Sequence, residues 1–388
     1  MRFQTRRDFI AHSTAIASAL AAAPLIAAEA PKKKLGWALC GLGGLSENQI
    51  APGLQKAQFS RLAGIITDTP AKASKWKEKY GLTDRSVYTY DTMHRLAENP
   101  DIDVVYIVTP NALHAEQAAL AFKAGKHVFC EKPMEVSVEK CQQMISDGKA
   151  AKRKLAVAYR CQFDPNHLEL IRLAREKELG AMKIIEANFN VSIGDPGQWR
   201  LKRALSGGGA LMDVGIYALQ ASRYISGEEP IEVRAMEPKT NAAKYAEVDE
   251  AMVWQARFPS GVVANCGTSY ESGFGGRIHV YTDKGWFGLD PAFGYTGNRG
   301  RRSDGKEIKL AAPDLFMAEM DDFSRCILDN RESKVSGEEG LRDVKIMMAI
   351  YEAALTGKAI SLEARAARAA PRSQATPRMR ESNPPVPA

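Results

Sequence analysis

From Leu35 onward, short apolar runs alternate with stretches in which apolar residues recur every three or four positions. The runs are Leu35–Leu39, Leu62–Thr67, Val87–Tyr90, Val104–Thr109, His127–Cys130 and Leu155–Tyr159, and the amphipathic stretches include Pro70–Tyr80, Asn111–Gly125 and Ser137–Lys152. Near-continuous apolar strands separated by helical periodicity are the pattern of βαβ units on a parallel sheet covered on both faces. Residues 31–160 are therefore expected to form a doubly wound domain. After Arg160 the period changes. A helix over about 164–179 leads into longer alternating runs, Lys183–Val191, Glu232–Pro238, Glu250–Phe258, Val262–Tyr270 and Arg277–Thr282, with turn chemistry at Pro259–Gly261 and Asp283–Gly285. Alternation with hairpin breaks predicts a mostly antiparallel sheet that keeps one face in water. Helices are expected over about 210–226, introduced by Gly207-Gly208-Gly209, and over about 313–328 and 339–355. The fold class is α/β: a doubly wound parallel sheet, then an α+β domain over 161–360 with a mostly antiparallel, open-faced sheet. Such an open face implies a homodimer or homotetramer.

The two ends differ from this body. Residues 1–30 hold Arg6-Arg7 in the context Thr5-Arg-Arg-Asp-Phe9-Ile10, then an alanine-rich stretch from Ala11 to Ala28 and an A-x-A-like close at Ala28-Glu29-Ala30. This resembles a twin-arginine signal, which implies the twin-arginine export machinery as a partner and a periplasmic destination reached in folded form. Small residues and His12 argue for cleavage and against a stable membrane anchor. Residues 361–388, rich in Arg, Ala and Pro, lack apolar periodicity and are expected to be a disordered tail. The net charge of +7 sits at these ends, +4 in residues 1–34 and +3 in 361–388, so the 326 residues between them sum to zero. A neutral body lacks the clustered cations that phosphate-backbone binding needs, and no nucleic-acid partner is expected. The six cysteines show no C-x-x-C spacing, so no metal site is expected, and free buried thiols are favoured over disulfides.

Candidate chemistry lies at the strand ends. The first run leads into Gly41-Leu42-Gly43-Gly44-Leu45-Ser46. The first glycine permits a tight turn, the second lets backbone amides approach a pyrophosphate, and the following helix terminus favours the anion. Asp68 ends the second strand, where a carboxylate accepts hydrogen bonds from ribose hydroxyls and repels a 2′-phosphate. Together these point to a Rossmann dinucleotide site. Asp68 leans toward NAD(H), whereas Lys72 and Tyr90 stand where they could hold a phosphate, so NADP(H) stays open. Thr109-Pro110-Asn111-Ala112-Leu113-His114 and Cys130-Glu131-Lys132-Pro133 end two further strands, where open α/β sheets bind ligands. A lysine before proline is held extended, which can keep its ammonium in the crevice.

With that E-K-P triplet in place, the chain resembles the superfamily of glucose–fructose oxidoreductases, inositol dehydrogenases and rhizopine-catabolism proteins. The likeness spans roughly residues 35–360 and is nearest to the glucose–fructose oxidoreductase branch, on Gln198 to Tyr217, Tyr159-Arg160-Cys161, Gly227 to Arg234 and Ser336 to Gly340. The resemblance implies a catalytic group of Lys132, Asp213 and Tyr217, with tyrosine where many relatives have histidine. It also implies that Trp199 and Arg200 close over the cofactor, with Thr109, Asn111, His114, Glu131 and Arg160 at the same site. From the residues themselves, Asp213 and Tyr217 share a helix face at a spacing of four. A nearby ammonium would pull the Tyr217 phenol down from its ordinary value of about 10, making it a base for a sugar hydroxyl. Tyr270 is a further candidate on the substrate side.

Periplasm holds no dependable pool of free nucleotide, so the expected enzyme is a sugar oxidoreductase that keeps its cofactor and passes hydride between two carbohydrate substrates in ping-pong fashion. Two alternatives stand beside it: a glycoside hydrolase that uses NAD⁺ transiently, and a dinucleotide-binding sensor without catalysis.

Overall fold

Six strands, β1 (Leu35–Cys40), β2 (Ser60–Ile66), β3 (Val87–Tyr88), β4 (Val104–Ile107), β5 (His127–Cys130) and β6 (Leu155–Val157), pair in parallel in the order β3-β2-β1-β4-β5-β6. The computed structural model describes residues 34–362. The signal expected over 1–30, and the tail from 363 on, lie outside the described residues. β1 is buried along its whole length, as its unbroken apolar run demands. The helices α1 (Ala51–Lys56), α2 (Pro70–Tyr80), α3 (His114–Lys123) and α4 (Val138–Ala150) occupy the crossovers. Pro70 opens α2 and Gly81 ends it at φ +65°, and Ser137 caps α4 by accepting the Lys140 N–H. Because β1 pairs with β2 on one side and β4 on the other, the winding reverses there and leaves a crevice beyond their carboxyl ends.

The second sheet has nine strands: β7 (Met182–Ser192), β8 (Glu232–Met236), β9 (Ala251–Arg257), β10 (Val263–Ser269), β11 (Glu271–Thr282), β12 (Trp286–Leu289), β13 (Gly300–Arg302), β14 (Glu307–Ile308) and β15 (Ile360–Ser361). Their order is β14-β13-β12-β11-β7-β10-β9-β8-β15. Every pairing is antiparallel except β7 with β10. Strict alternation in β9 buries Met252, Trp254 and Ala256 under the helices and leaves Val253 outside. The covering helices are α5 (Pro165–Glu176), α6 (Ile216–Ser226) and α8 (Gly337–Thr356). β12 to β15 escape the sequence pattern because runs of two to four residues are too short to show alternation. Ser361 and Leu362, assigned by sequence to the tail, are held here, with Ser361 in β15 and the Leu362 N–H bonded to Ile231 O.

One helix crosses the expected division at 160. α7 (Leu315–Leu328) packs against the first sheet: Trp37 Nε1 donates to Ser324 Oγ at 3.0 Å, and the Asp321 carboxylate accepts the N–H groups of Gln58 and Phe59 at 2.7 and 2.8 Å. Phe323 joins Trp37 and Phe129 in one aromatic cluster under the strands. The six cysteines are all buried and unpaired. Among the described residues, no helix is long and apolar enough to cross a membrane.

Candidate active site

The turn after β1 is built for close approach. Gly41 adopts φ +99°, and a Cβ there would lie 2.9 Å from Val108 O and from Thr109 Cγ2. Ser46, fully buried, donates to Gly41 O at 2.6 Å and locks the loop. Leu42 turns its side chain into the core, so only its backbone is available to a ligand. A Cβ on Gly43 would meet nothing within 4 Å, and both Gly43 and Gly44 face the cleft. Asp68 is exposed at the tip of β2 and accepts the Tyr90 N–H at 2.9 Å, leaving its other oxygen open. Lys72 is exposed on the first turn of α2, and Tyr90 is half-buried, with burial pushing its phenol up to about 12.

Thr109 and Asn111 line the cleft. Asn111 Nδ2 also reaches across to Ser206 O at 2.8 Å and Thr109 Oγ1 donates to Gln117. His114 does not join them. It is fully buried, its ring nitrogens lie 2.9 to 3.2 Å from the carbonyls of Thr109, Pro133 and Met134, and burial holds its pKa down. Its place is that of a bolt tying the β4 loop to the E-K-P loop rather than a cofactor ligand.

Lys132 leaves the end of β5 and points at the helix led by the glycine run. Its ammonium donates to Asp213 O at 2.7 Å and Asp213 Oδ1 at 3.0 Å. Arg200 Nε and Tyr270 OH both donate to Asp213 Oδ2 at 2.9 Å. Burial alone would raise the Asp213 carboxyl, but the Lys132 and Arg200 charges hold it far below the carboxylate range. Burial alone would lower Lys132, but Asp213 keeps it firmly protonated. The segment Leu211–Gly215 is a π-turn, with the Ile216 N–H reaching back five residues to Leu211 O, so Asp213 and Tyr217 do not sit on regular α geometry as the spacing of four implied. Asp249 secures that turn: its carboxylate accepts the Gly209 and Leu211 N–H groups and the Tyr351 hydroxyl. A Cβ on Gly209 would fall 1.9 Å from Asp249 O, which explains the glycine run. Sequence reasoning missed Asp249, one of three acids in Glu247-Val248-Asp249-Glu250, thirty-six residues beyond Asp213 in chain order.

Tyr217 lies beneath two cations. The Lys132 ammonium is 5.1 Å from its ring centroid and the Arg160 guanidinium 4.9 Å. Burial is nevertheless the larger influence, and the phenol is raised rather than pulled down, against the expectation from Lys132 alone. The candidate Tyr270 is also displaced from its expected role. It is fully buried, does not line the cleft and spends its hydroxyl on Asp213, so it positions that carboxylate. Trp199 lines the cleft with Arg200 stacked on it at 4.6 Å.

These side chains share a cleft of about 730 Å³ that runs from Gly43 past Glu131, Lys132 and Arg160 to the aromatic group Phe189, Phe274, Phe293 and Tyr295. Sequence reasoning missed those aromatics, which come from β7, β11 and the loop after β12. Only Phe274, flanked by glycines in Gly273-Phe274-Gly275, carried a local signal. The donor set fits a dinucleotide: an open glycine floor for a pyrophosphate, a free carboxylate oxygen for ribose, and a cation-rich end for a nicotinamide and a polar substrate.

Comparison with known proteins agrees. Residues 35–159 match a model described as an oxidoreductase family with an NAD-binding Rossmann fold, and residues 167–288 match the GFO/IDH/MocA C-terminal domain. D-xylose 1-dehydrogenase [NADP(+)] of Haloarcula marismortui is 30% identical over 336 residues, 84% of this chain and 93% of that protein. 1,5-anhydro-D-fructose reductase of Ensifer adhaerens is 24% identical over 337 residues, 84% and 98% of the two chains. The solved aldose-aldose oxidoreductase of Caulobacter crescentus, complexed with glycerol, is 41% identical with a TM-score of 0.82, covering 85% of this chain and 100% of that one.

Proposed function

Since this chain belongs to the GFO/IDH/MocA family of oxidoreductases with an NAD-binding Rossmann domain, we propose that it oxidises an aldose and reduces a second carbonyl sugar. The first sugar loses its anomeric hydroxyl proton and a hydride from the same carbon to become a lactone. The second carbonyl gains hydride at carbon and a proton at oxygen. When bound, a nicotinamide supplies the acceptor for the first hydride and the donor for the second. The observation that carries this reading is the meeting of Lys132, Asp213 and Tyr217 beside the glycine turn, together with 41% identity to an aldose-aldose oxidoreductase.

The chain's own residues divide the work. Gly41 and Gly43 shape the turn that holds the pyrophosphate, Asp68 accepts from ribose, and Thr109, Asn111, Glu131, Trp199 and Arg200 flank the inner half. Tyr217 handles the proton. Raised by burial, its hydroxyl is neutral at ordinary pH and ready to donate to a carbonyl oxygen; in the oxidising direction it accepts a proton as the phenolate that Lys132 and Arg160 stabilise. Asp213 keeps Lys132 charged and still. Phe189, Phe293 and Tyr295 offer flat apolar faces to a sugar ring and exclude water from it.

Three finer elements belong to the proposal. Arg6-Arg7 and the alanine-rich stretch after them support export to the periplasm, which in turn supports a retained cofactor and ping-pong turnover. Asp68 supports a lean toward NAD(H) over NADP(H). Ile184, Val253 and Tyr281, exposed on the uncovered face of the second sheet, support a homodimer or homotetramer.

The test is purification without added nucleotide, mass spectrometry of what heat releases, and mixing of an aldose with a second sugar. Stoichiometric nucleotide and turnover without free cofactor are expected, both lost on removal of the nucleotide, with turnover cut 10²–10⁴-fold in Tyr217→Phe. Turnover that requires free nucleotide would defeat the retained-cofactor reading. Release of aglycone from an aryl glycoside with no second sugar would instead favour the redox glycoside hydrolase.

A further inference from the structure

Arg160 is held from behind by a chain of contacts that the reaction itself does not use. It is buried, yet no carboxylate pairs with it: Nη1 donates to Gly294 O at 2.9 Å and Nη2 to Phe293 O at 2.7 Å. Those carbonyls belong to a loop without regular structure, so something must fix them. Asn298 does so. Its Nδ2 donates to Gly294 O at 3.1 Å and its Oδ1 accepts the Gly294 N–H at 2.8 Å, closing a ring on one residue. Gly294 is needed there, because a Cβ would lie 2.7 Å from Thr296 O. Asn298 is itself anchored, donating to Asp164 Oδ2 at 2.7 Å. Asp164 is fully buried, caps α5 through the Asn166 N–H at 2.9 Å, and faces His167 Nδ1 at 3.2 Å.

We infer that Asn298 and Asp164 are positioning residues for proton transfer, acting through the Phe293 and Gly294 carbonyls to hold the Arg160 guanidinium over Tyr217. The inference rests on Tyr217 as the proton-transfer group. The charged and titratable groups facing that ring are Lys132 from the end of β5, Arg160 and Cys161 from the segment after β6, and Tyr295 from the loop itself. Lys132 is held by the carboxylate and carbonyl of Asp213, whereas Arg160 is aimed by loop carbonyls alone. A planar guanidinium needs both acceptors in place to hold its orientation over the ring, and a single point charge would not. Loosening Gly294 therefore lets the cation swing away while Lys132 stays with Asp213. Against the opposing pull of burial, Cys161 and Asp164 raise His167 to about 9, and His167 and Asn298 lower Asp164 to about 2, so the anchor stands on an ionic contact at neutral pH.

The test is Asn298→Ala, with Asn298→Ser as a second variant should the first fail to fold, each made also with Arg160→Lys. Oxidation of an aldose by the enzyme with its bound nucleotide is followed in a single turnover across pH. The expected result is an alkaline shift of the profile by about 1 pH unit and about a tenfold slower step at neutral pH, with KM within twofold. In the Arg160→Lys background the same change should cost less than twofold. An unshifted profile, or a full loss in both backgrounds, overturns the inference and leaves Asn298 a stability residue. Should no sugar react even with the unaltered enzyme, the proposed function fails, and the positioning claim is read separately. Tyrosinate absorbance after a pH jump, with the matching Tyr217→Phe signal subtracted, must still show the same alkaline shift in Asn298→Ala.

Discussion

Replacing Lys132 by methionine removes one of the two cations over Tyr217 while nearly preserving side-chain volume. The ammonium lies 5.1 Å from the ring centroid. At an effective dielectric near 20, a unit charge at that distance stabilises a phenolate by about 3 kcal/mol, or roughly 2 pH units. Asp213, left with Arg200 alone, pushes the same way. In the oxidising direction the rate below the phenol's pKa follows the phenolate fraction, so it climbs about tenfold per pH unit. Lys132→Met should therefore move that climb roughly 2 units toward higher pH, a loss of about 10² at any fixed pH. Lys132→Arg, which keeps the charge, should lose much less. Reduction should show no matching shift, because the neutral phenol already carries the proton it donates. The assay is single-turnover absorbance of the bound nicotinamide in both directions, from neutral pH to the edge of alkaline unfolding. A uniform loss at every pH, equal in both directions, would refute the reasoning and make Lys132 a simple hydrogen-bond donor to substrate.

Asp213→Asn leaves the half-buried Lys132 and Arg200 beside a neutral amide. Breaking a fully buried pair costs about 3–5 kcal/mol, and the partial exposure of Arg200 brings the expected cost down to about 2–3 kcal/mol, to be read by denaturant unfolding, against about 1 kcal/mol for the single hydrogen bond lost in Tyr270→Phe. For His167, whose pKa in the fold is raised to about 9, the linked stability is fully present below the unfolded value of about 6.5 and disappears as pH rises through 9. Unfolding free energy between those limits should therefore fall more steeply in the natural protein than in His167→Gln, and parallel curves would contradict the assignment. Asp68→Ser removes the carboxylate that would oppose a 2′-phosphate, and NADP(H) should gain on NAD(H) by about tenfold in equilibrium dialysis. An unchanged ratio would place cofactor choice elsewhere, with Lys72 and Tyr90 the next candidates.

The strands of the first sheet were legible where burial on both faces leaves an unbroken apolar run; Leu35–Cys40 is the plainest case, whereas the polar start of β2 at Ser60 and Arg61 fell outside the run read from Leu62. Helix ends were legible where a residue has a mechanical reason to be there, as Pro70, Gly81 and Ser137 do. What stayed hidden lies where period and propensity carry no message. β13 and β14, with three and two residues, are strands only because β12 offers them an edge. Likewise α7 looks like any amphipathic helix, and nothing local in it says that Ser324 and Asp321 seek Trp37 and the turn before β2 rather than the sheet that precedes them in the chain.

The same limit explains the error over Tyr217. The sequence brings Lys132 close to it and rightly implies attraction, but the sign of the net shift depends on how much water the ring loses, which is set by Phe189, Phe293 and Tyr295 from remote segments. The charge balance is similarly distributed. Lys132, Arg160 and Arg200 stand against Asp213, while burial drives Glu131 and its neighbour Glu319, bridged by the Tyr106 hydroxyl, toward their neutral forms. The cleft is thus positive on balance. That excess serves both demands on it, since a pyrophosphate at the glycine turn and a phenolate at Tyr217 are each anionic, and neither would form readily in a buried site of balanced charge. Placing tyrosine where a histidine base would need no such field makes the surrounding cations part of the base itself.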